Sequence, residues 1–183
     1  MSSPLVVIDI QDVFINQLGE GKAELLRHVT KAMQKARREK RHVVLVQYHR
    51  EGPLNVGLHV ALKGYSNWSK VIKKRDDGSK EIHTHLSKKF SGVKTLTVCG
   101  VNLDCCVLET VAGLLELGYK CRIVKEATCN TYHDGYLPAD AFFWKRVYEY
   151  HARPWRRVGT VKNRVLSKQE AEKNVRMLGV RWV

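Results

Sequence analysis

A chain of 183 residues, 44% of them hydrophobic, is long enough for one domain with a sizeable core, and no repeat, low-complexity tract or long linker divides it. It carries 32 Lys and Arg against 18 Asp and Glu, a formal net charge of +14. There is no apolar run of roughly 18 residues and no charged-then-apolar leader before the first strand-like segment, so no membrane contact is expected and the expected localisation is cytoplasmic.

The first predicted element is Leu5-Val6-Val7-Ile8, a continuous apolar run of the buried-strand type that ends in Asp9 and is followed by Gln11, Asp12 and Phe14. A carboxylate at the end of a central strand is costly unless it is used or paired. Residues 21 to 41 then read as a helix with Leu25, Val29, Met33 and Ala36 on one face, and residues 43 to 48 as a second strand. A long loop is predicted over 50 to 69, with Gly52-Pro53, Gly57, Gly64 and Trp68, and loops of that length in a compact domain tend to be functional. Val71-Ile72-Lys73-Lys74 reads as a short third strand that delivers a lysine at its carboxyl end, and a helix is predicted over 80 to 89.

Residues 95 to 99 form a fourth predicted strand, and Gly100 breaks it. Asp104 can cap the next helix, in which Val107, Val111, Leu114 and Leu115 recur at helical spacing before Gly118 stops it. Cys106 then falls in the first turn, where unpaired N–H groups and the helix dipole favour a thiolate. Residues 120 to 125 give a fifth strand. Near the end of the chain, Ser167-Lys168-Gln169-Glu170 has the capping-box pattern of a helix ending near Gly179, within a basic C-terminal helical segment over about 144 to 183. The last residues, 180 to 183, are expected to pack on the sheet or on a partner chain, and a homo-oligomer is expected.

Alternating strands and helices imply an α/β fold, a three-layer α/β/α arrangement around a central, mostly parallel sheet. In such a sheet the ligand site lies beyond the carboxyl ends of the strands, where strand order reverses, and Asp9, Lys74 and Cys106 all sit at such ends. Singly, each has a plainer reading: Asp9 as a cap or hydrogen-bonded carboxylate, Lys74 as a solvated charge, Cys106 as core packing. The five cysteines, with Cys105 and Cys106 adjacent, fit a reducing compartment and match no zinc spacing.

Three segments in order resemble the isochorismatase-like superfamily of cysteine hydrolases. Val7-Ile8-Asp9-Ile10-Gln11-Asp12-Val13-Phe14 is similar to its opening D-x-Q-x-x-F element. Val71-Ile72-Lys73-Lys74, followed by Ser79, Thr84 and Leu86, resembles its lysine element. Gly100-Val101-Asn102-Leu103-Asp104-Cys105-Cys106-Val107 matches its G-V-x-T-D-x-C-V element with Leu103 in place of threonine. The resemblance implies a single hydrolase domain over residues 1 to 183. It implies Asp9 as base, Lys74 as the cation that orients it and Cys106 as nucleophile. The N–H groups of Asn102 and Cys106 would form the oxyanion hole, with a cis peptide before Asn102. Cys106 would then attack the carbonyl of a small amide-type substrate and form a thioester.

Between the two lysines the choice falls on Lys74, because it stands closer to the Ser79-to-Leu86 element, and strand alternation allows only one of the pair to reach the site. No cofactor is implied. Metal-binding relatives carry an Asp-x-His pair after the second strand, whereas this chain has Gln47-Tyr48-His49, and His49 and His59 read as surface or hydrogen-bonded residues rather than metal ligands.

The positive charge is concentrated: residues 22 to 41 hold eight Lys and Arg against two Glu, and residues 144 to 183 hold eleven against three. Trp144, Trp155 and Trp182 interleave with the arginines of the second region. Contact with a polyanion or nucleic acid through this surface, in a catalytically silent protein of the same fold, is the alternative reading.

Overall fold

The computed structural model describes residues 2–90, 92–131 and 180–183. The chain opens with strand β1 (Leu5–Ile8), a short helix α1 (Asp12–Ile15) that runs into a single 3-10 turn, and helix α2 (Gly21–Arg38). Next come β2 (Val43–Tyr48), α3 (Val56–Ala61), β3 (Trp68–Lys73), α4 (Ser79–Lys89) and β4 (Thr95–Gly100). A wide π-type turn over Leu103–Val107 leads into α5 (Leu108–Glu116), followed by β5 (Lys120–Thr128) and β6 (Val180–Trp182). The strands form one sheet in the order β3-β2-β1-β4-β5-β6, and every neighbouring pair is parallel.

The continuous apolar run of β1 has a simple cause: both faces of the sheet are covered. Val6 and Ile8 join Val44, Val46, Val98, Ile82, Leu86, Val111 and Leu114 in the core beneath α4 and α5. Leu5 and Val7 join Val43, Leu45, Leu25, Val29 and Met33 in the core beneath α2. Alternate residues of one strand thus feed two separate cores, so no position in it can be polar.

Strand order reverses between β1 and β4, which places the carboxyl ends of these two strands at the switch point of the sheet. The close approach there depends on Gly100, whose φ of +133° lies in a region L side chains rarely adopt. A Cβ built on it would fall 2.0 Å from the Ile8 carbonyl oxygen.

Two predicted elements need correction. The loop expected over 50 to 69 contains α3, capped by the Asn55 side chain, which accepts from the Gly57 N–H at 2.9 Å, and β3 already begins at Trp68. A six-residue helix holding Gly57 and His59 leaves too little periodicity to be seen in sequence. The helix expected to begin at Asp104 begins at Leu108, after the π-type turn. The capping-box helix and the basic segment that contains it lie outside the described residues up to Gly179, while Val180–Trp182 adds to the sheet beside β5. Among the described residues no helix is long and apolar enough to cross a membrane.

Candidate active site

The site is assembled from four strand or turn ends. Asp9 immediately follows β1, with φ at +53°, a left-handed conformation that short polar side chains tolerate best. Its N–H donates to the Val46 carbonyl at 3.0 Å, and its carbonyl accepts from Gln11 N–H at 2.7 Å. The side chain is fully buried. Gln11 fixes the neighbouring segment: its amide donates to the carbonyls of Tyr48, Glu51 and Gly52, and its oxygen accepts from the Tyr48 N–H at 2.7 Å. A buried side chain that satisfies four backbone groups explains why an amide stands two residues after the acid.

The lysine that reaches this carboxylate is Lys73, not Lys74. The Lys73 ammonium lies 2.8 Å from Asp9 Oδ2, donates to the Asp76 carbonyl at 2.8 Å, and sits 4.5 Å above the Tyr48 ring. The cause of the correction is the register of β3. Tyr48 of β2 pairs with Lys73, whose side chain shares the buried face with Val71, while Ile72 and Lys74 alternate onto the exposed face. Asp9 and Lys73 are brought together; Lys74 is not.

Cys106 completes the cluster from the π-type turn. Its side chain is 6% exposed, and its thiol donates to Asp76 Oδ1 at 3.6 Å. Asp76 was not singled out in the sequence. Its position is set by its own carbonyl, which accepts from Lys73 and from the Thr110 hydroxyl at 3.2 Å. Such a role leaves no residue-type signal in sequence, because any residue supplies a carbonyl.

Asn102 stands at the end of β4 after a cis Val101–Asn102 peptide. Its side-chain oxygen accepts from the N–H and the hydroxyl of Thr131 at 2.7 and 2.6 Å, and its carbonyl accepts from the Val107 N–H at 2.9 Å. The backbone on both sides of the Cys106 turn is thereby held.

The electrostatics correct a further expectation. Burial raises the Cys106 pKa, the Asp9 carboxylate raises it further, and the Lys73 cation only partly opposes them, so the resting group is a thiol rather than a thiolate. Burial also lifts the Asp9 pKa to about 6 against the pull of Lys73. Burial works against the charge of Lys73, but Asp9 and Cys106 more than offset it and its pKa lies above the ordinary lysine value. Neither Asp9 oxygen accepts a well-aligned hydrogen bond from a described residue, although the ammonium lies within ion-pair distance. A buried, ionised carboxylate with unused lone pairs beside a protonated thiol can accept that thiol's proton.

Because folding raises the Asp9 pKa, the folded state binds its proton more tightly than the unfolded chain. The resulting stabilisation is complete below about 3.8 and is lost as pH rises through about 6. Carboxyl-carbon NMR of the labelled protein is expected to show one aspartate titrating near 6 whose signal disappears in Asp9→Asn. A midpoint at the ordinary aspartate value would contradict the burial of that carboxylate.

The segment after β2, read from the sequence as lacking a metal-ligand pair, makes other contacts. Gln47 donates to the Gly52 carbonyl at 3.1 Å, and His59, exposed on α3, packs edge-on against Trp68.

Residues 3–139 match the model of the isochorismatase domain. The chain belongs to the isochorismatase family. An uncharacterized isochorismatase family protein of Bacillus subtilis strain 168 is 30% identical over 162 residues, covering 76% of this chain and 86% of that one. Among solved structures, the MAR1 ribonuclease of Caenorhabditis elegans superposes with a TM-score of 0.66 at 20% identity, over 97% of this chain and 88% of that chain. A nicotinamidase of Staphylococcus aureus superposes with a TM-score of 0.61 at 21% identity, over 90% and 100%. These likenesses share the fold of the isochorismatase family, and membership places the chain among the hydrolases of that superfamily.

Proposed function

We propose that this protein is a cysteine hydrolase that cleaves the C–N bond of a small amide-type molecule, using Asp9, Lys73 and Cys106. The observation that carries the reading is the buried Asp9–Lys73 ion pair at 2.8 Å set beside a buried thiol, an arrangement whose desolvation cost a merely structural role would not repay. Asp9 removes the thiol proton as Cys106 attacks the carbonyl, and Lys73 keeps Asp9 ionised until that moment. The N–H groups of Asn102 and Cys106 receive the developing oxyanion. The proton held by Asp9 passes to the leaving nitrogen, ammonia or an amine departs, and water hydrolyses the thioester.

A second reading has one observation in its favour. Where α2 faces β5, a cavity of about 410 Å³ is lined by His28, Lys31, Lys35, Arg41 and Arg122 together with Glu126. Cations converging on a recess suit a phosphate-bearing partner of a catalytically silent protein.

One experiment separates the two. An amide library is screened for ammonia or amine release with the wild-type protein and with Cys106→Ala, and each is titrated with single-stranded RNA. Turnover that Cys106→Ala abolishes, and that persists in the presence of a chelator, supports the hydrolase. RNA binding by both proteins with no turnover on any amide replaces it with the second reading.

A further inference from the structure

Beside the proposed nucleophile stand two donors that the hydrolytic scheme does not use, Cys105 and Asp76. The sulfurs of Cys105 and Cys106 and a carboxylate oxygen of Asp76 all lie within 4.8 Å of one another. The Cys106–Asp76 pair is already 3.6 Å apart. Two sulfurs and an oxygen bound tetrahedrally to zinc, with bonds of about 2.3 and 2.0 Å, stand roughly 3.5 to 3.8 Å from one another. The cluster is therefore within about 1 Å of a zinc-binding geometry, and the remaining adjustment falls on half-buried Cys105 and exposed Asp76.

We propose that Cys105, Cys106 and Asp76 form a three-ligand site for zinc, and that zinc bound there shuts the enzyme off by capping its nucleophile. The donor set selects the ion: two thiolates and one carboxylate suit a borderline-soft divalent cation and reject magnesium or calcium, which take oxygen ligands. Binding forms two metal–sulfur bonds and one metal–oxygen bond, and releases two thiol protons to solvent with no change of oxidation state. The two thiolates and the carboxylate leave the zinc complex with one net negative charge, set beside the neutral Asp9–Lys73 ion pair. The backbone carrying Asp76 is fixed in advance, because its carbonyl is held by Lys73 and Thr110. Among the described residues, no other group of three His, Cys, Asp or Glu side chains meets the same distance.

The capping consequence rests on Cys106 being the nucleophile; the binding itself does not. The test uses cobalt as a spectroscopic stand-in for zinc, titrated into the full chain in a non-thiol reductant. One equivalent is expected to give a near-ultraviolet thiolate-to-cobalt band that zinc displaces. Cys105→Ser should roughly halve the band's intensity and weaken cobalt at least tenfold, whereas Asp76→Asn, a change at an exposed residue that cannot endanger folding, should weaken cobalt while leaving a two-thiolate band. Cys121→Ser, at a buried cysteine outside the cluster, should change neither. A band that survives Cys105→Ser undiminished, affinity unmoved by Asp76→Asn, or no band at all overturns the site. Binding with these signatures but no amide turnover would leave the site standing and sink the hydrolase reading; turnover without binding would do the reverse.

Discussion

Lys73→Met lowers amide hydrolysis at neutral pH by at least about a hundredfold, while Lys74→Met leaves it within about twofold. The difference follows from what each ammonium touches. Removing the Lys73 charge leaves Asp9 buried with no other cation of the described residues in salt-bridge contact, and a carboxyl whose pKa burial has already raised to about 6 then takes up a proton instead of remaining charged. A protonated Asp9 cannot accept the Cys106 proton, so the thiol is left without its base. Protonation also limits the loss of stability, and Lys73→Met should still unfold cooperatively in urea. The solvated Lys74 has no such partner to release. Measured rates for both variants, with urea melts to show that each is folded, decide the matter; a large loss in Lys74→Met with none in Lys73→Met would remove the ion pair from the mechanism.

Gly100→Ala destabilises the fold by about 4 kcal/mol, the sum of a strained left-handed conformation and a forced overlap in a packed interior. The added methyl would fall 2.0 Å from the Ile8 carbonyl oxygen, which is backbone of the adjacent central strand and cannot swing aside as a side chain would. β1 and β4 must then separate at the end that carries Asp9, so activity falls even at temperatures where the variant remains folded. Denaturant midpoints and circular dichroism at low temperature are the measurements; a midpoint within about 0.5 kcal/mol of wild type would show that the two strands do not need this approach.

These two positions show unevenly how much of the molecule the sequence discloses. The α/β class and its succession of parallel strands could be read from continuous apolar runs, because parallel strands buried on both faces leave a strong signal. Asp9 was legible for the same reason, as a charge where only apolar residues belong. The choice between Lys73 and Lys74 was not, because adjacent lysines have the same chemistry and only the pairing of Tyr48 with Lys73 decides which one faces inward. Proximity to a downstream element is a poor guide when the period of a strand is two residues. The protonation state of Cys106 was equally out of reach, since it depends on burial and on a carboxylate nearly a hundred residues away in the chain. The wide turn at Leu103–Val107 explains the rest of that misreading: the thiol does not occupy the first turn of a regular helix, where a dipole would have lowered its pKa.

The lysine left out of the site has a consequence of its own. Among the described strands β3 is the outermost beside β2, and Lys70 and Ile72 on its exposed face are followed by exposed Lys74 just past its end. Ile72 is 47% exposed, and a bare apolar side chain on a border strand invites a second copy to add its own strand there. Two ammonium groups flanking it would have to be stripped of water and brought against their counterparts in any such stack. Charges in these places oppose edge-to-edge pairing, and the alternation that denies Lys74 a place beside Asp9 is what puts its charge at the border.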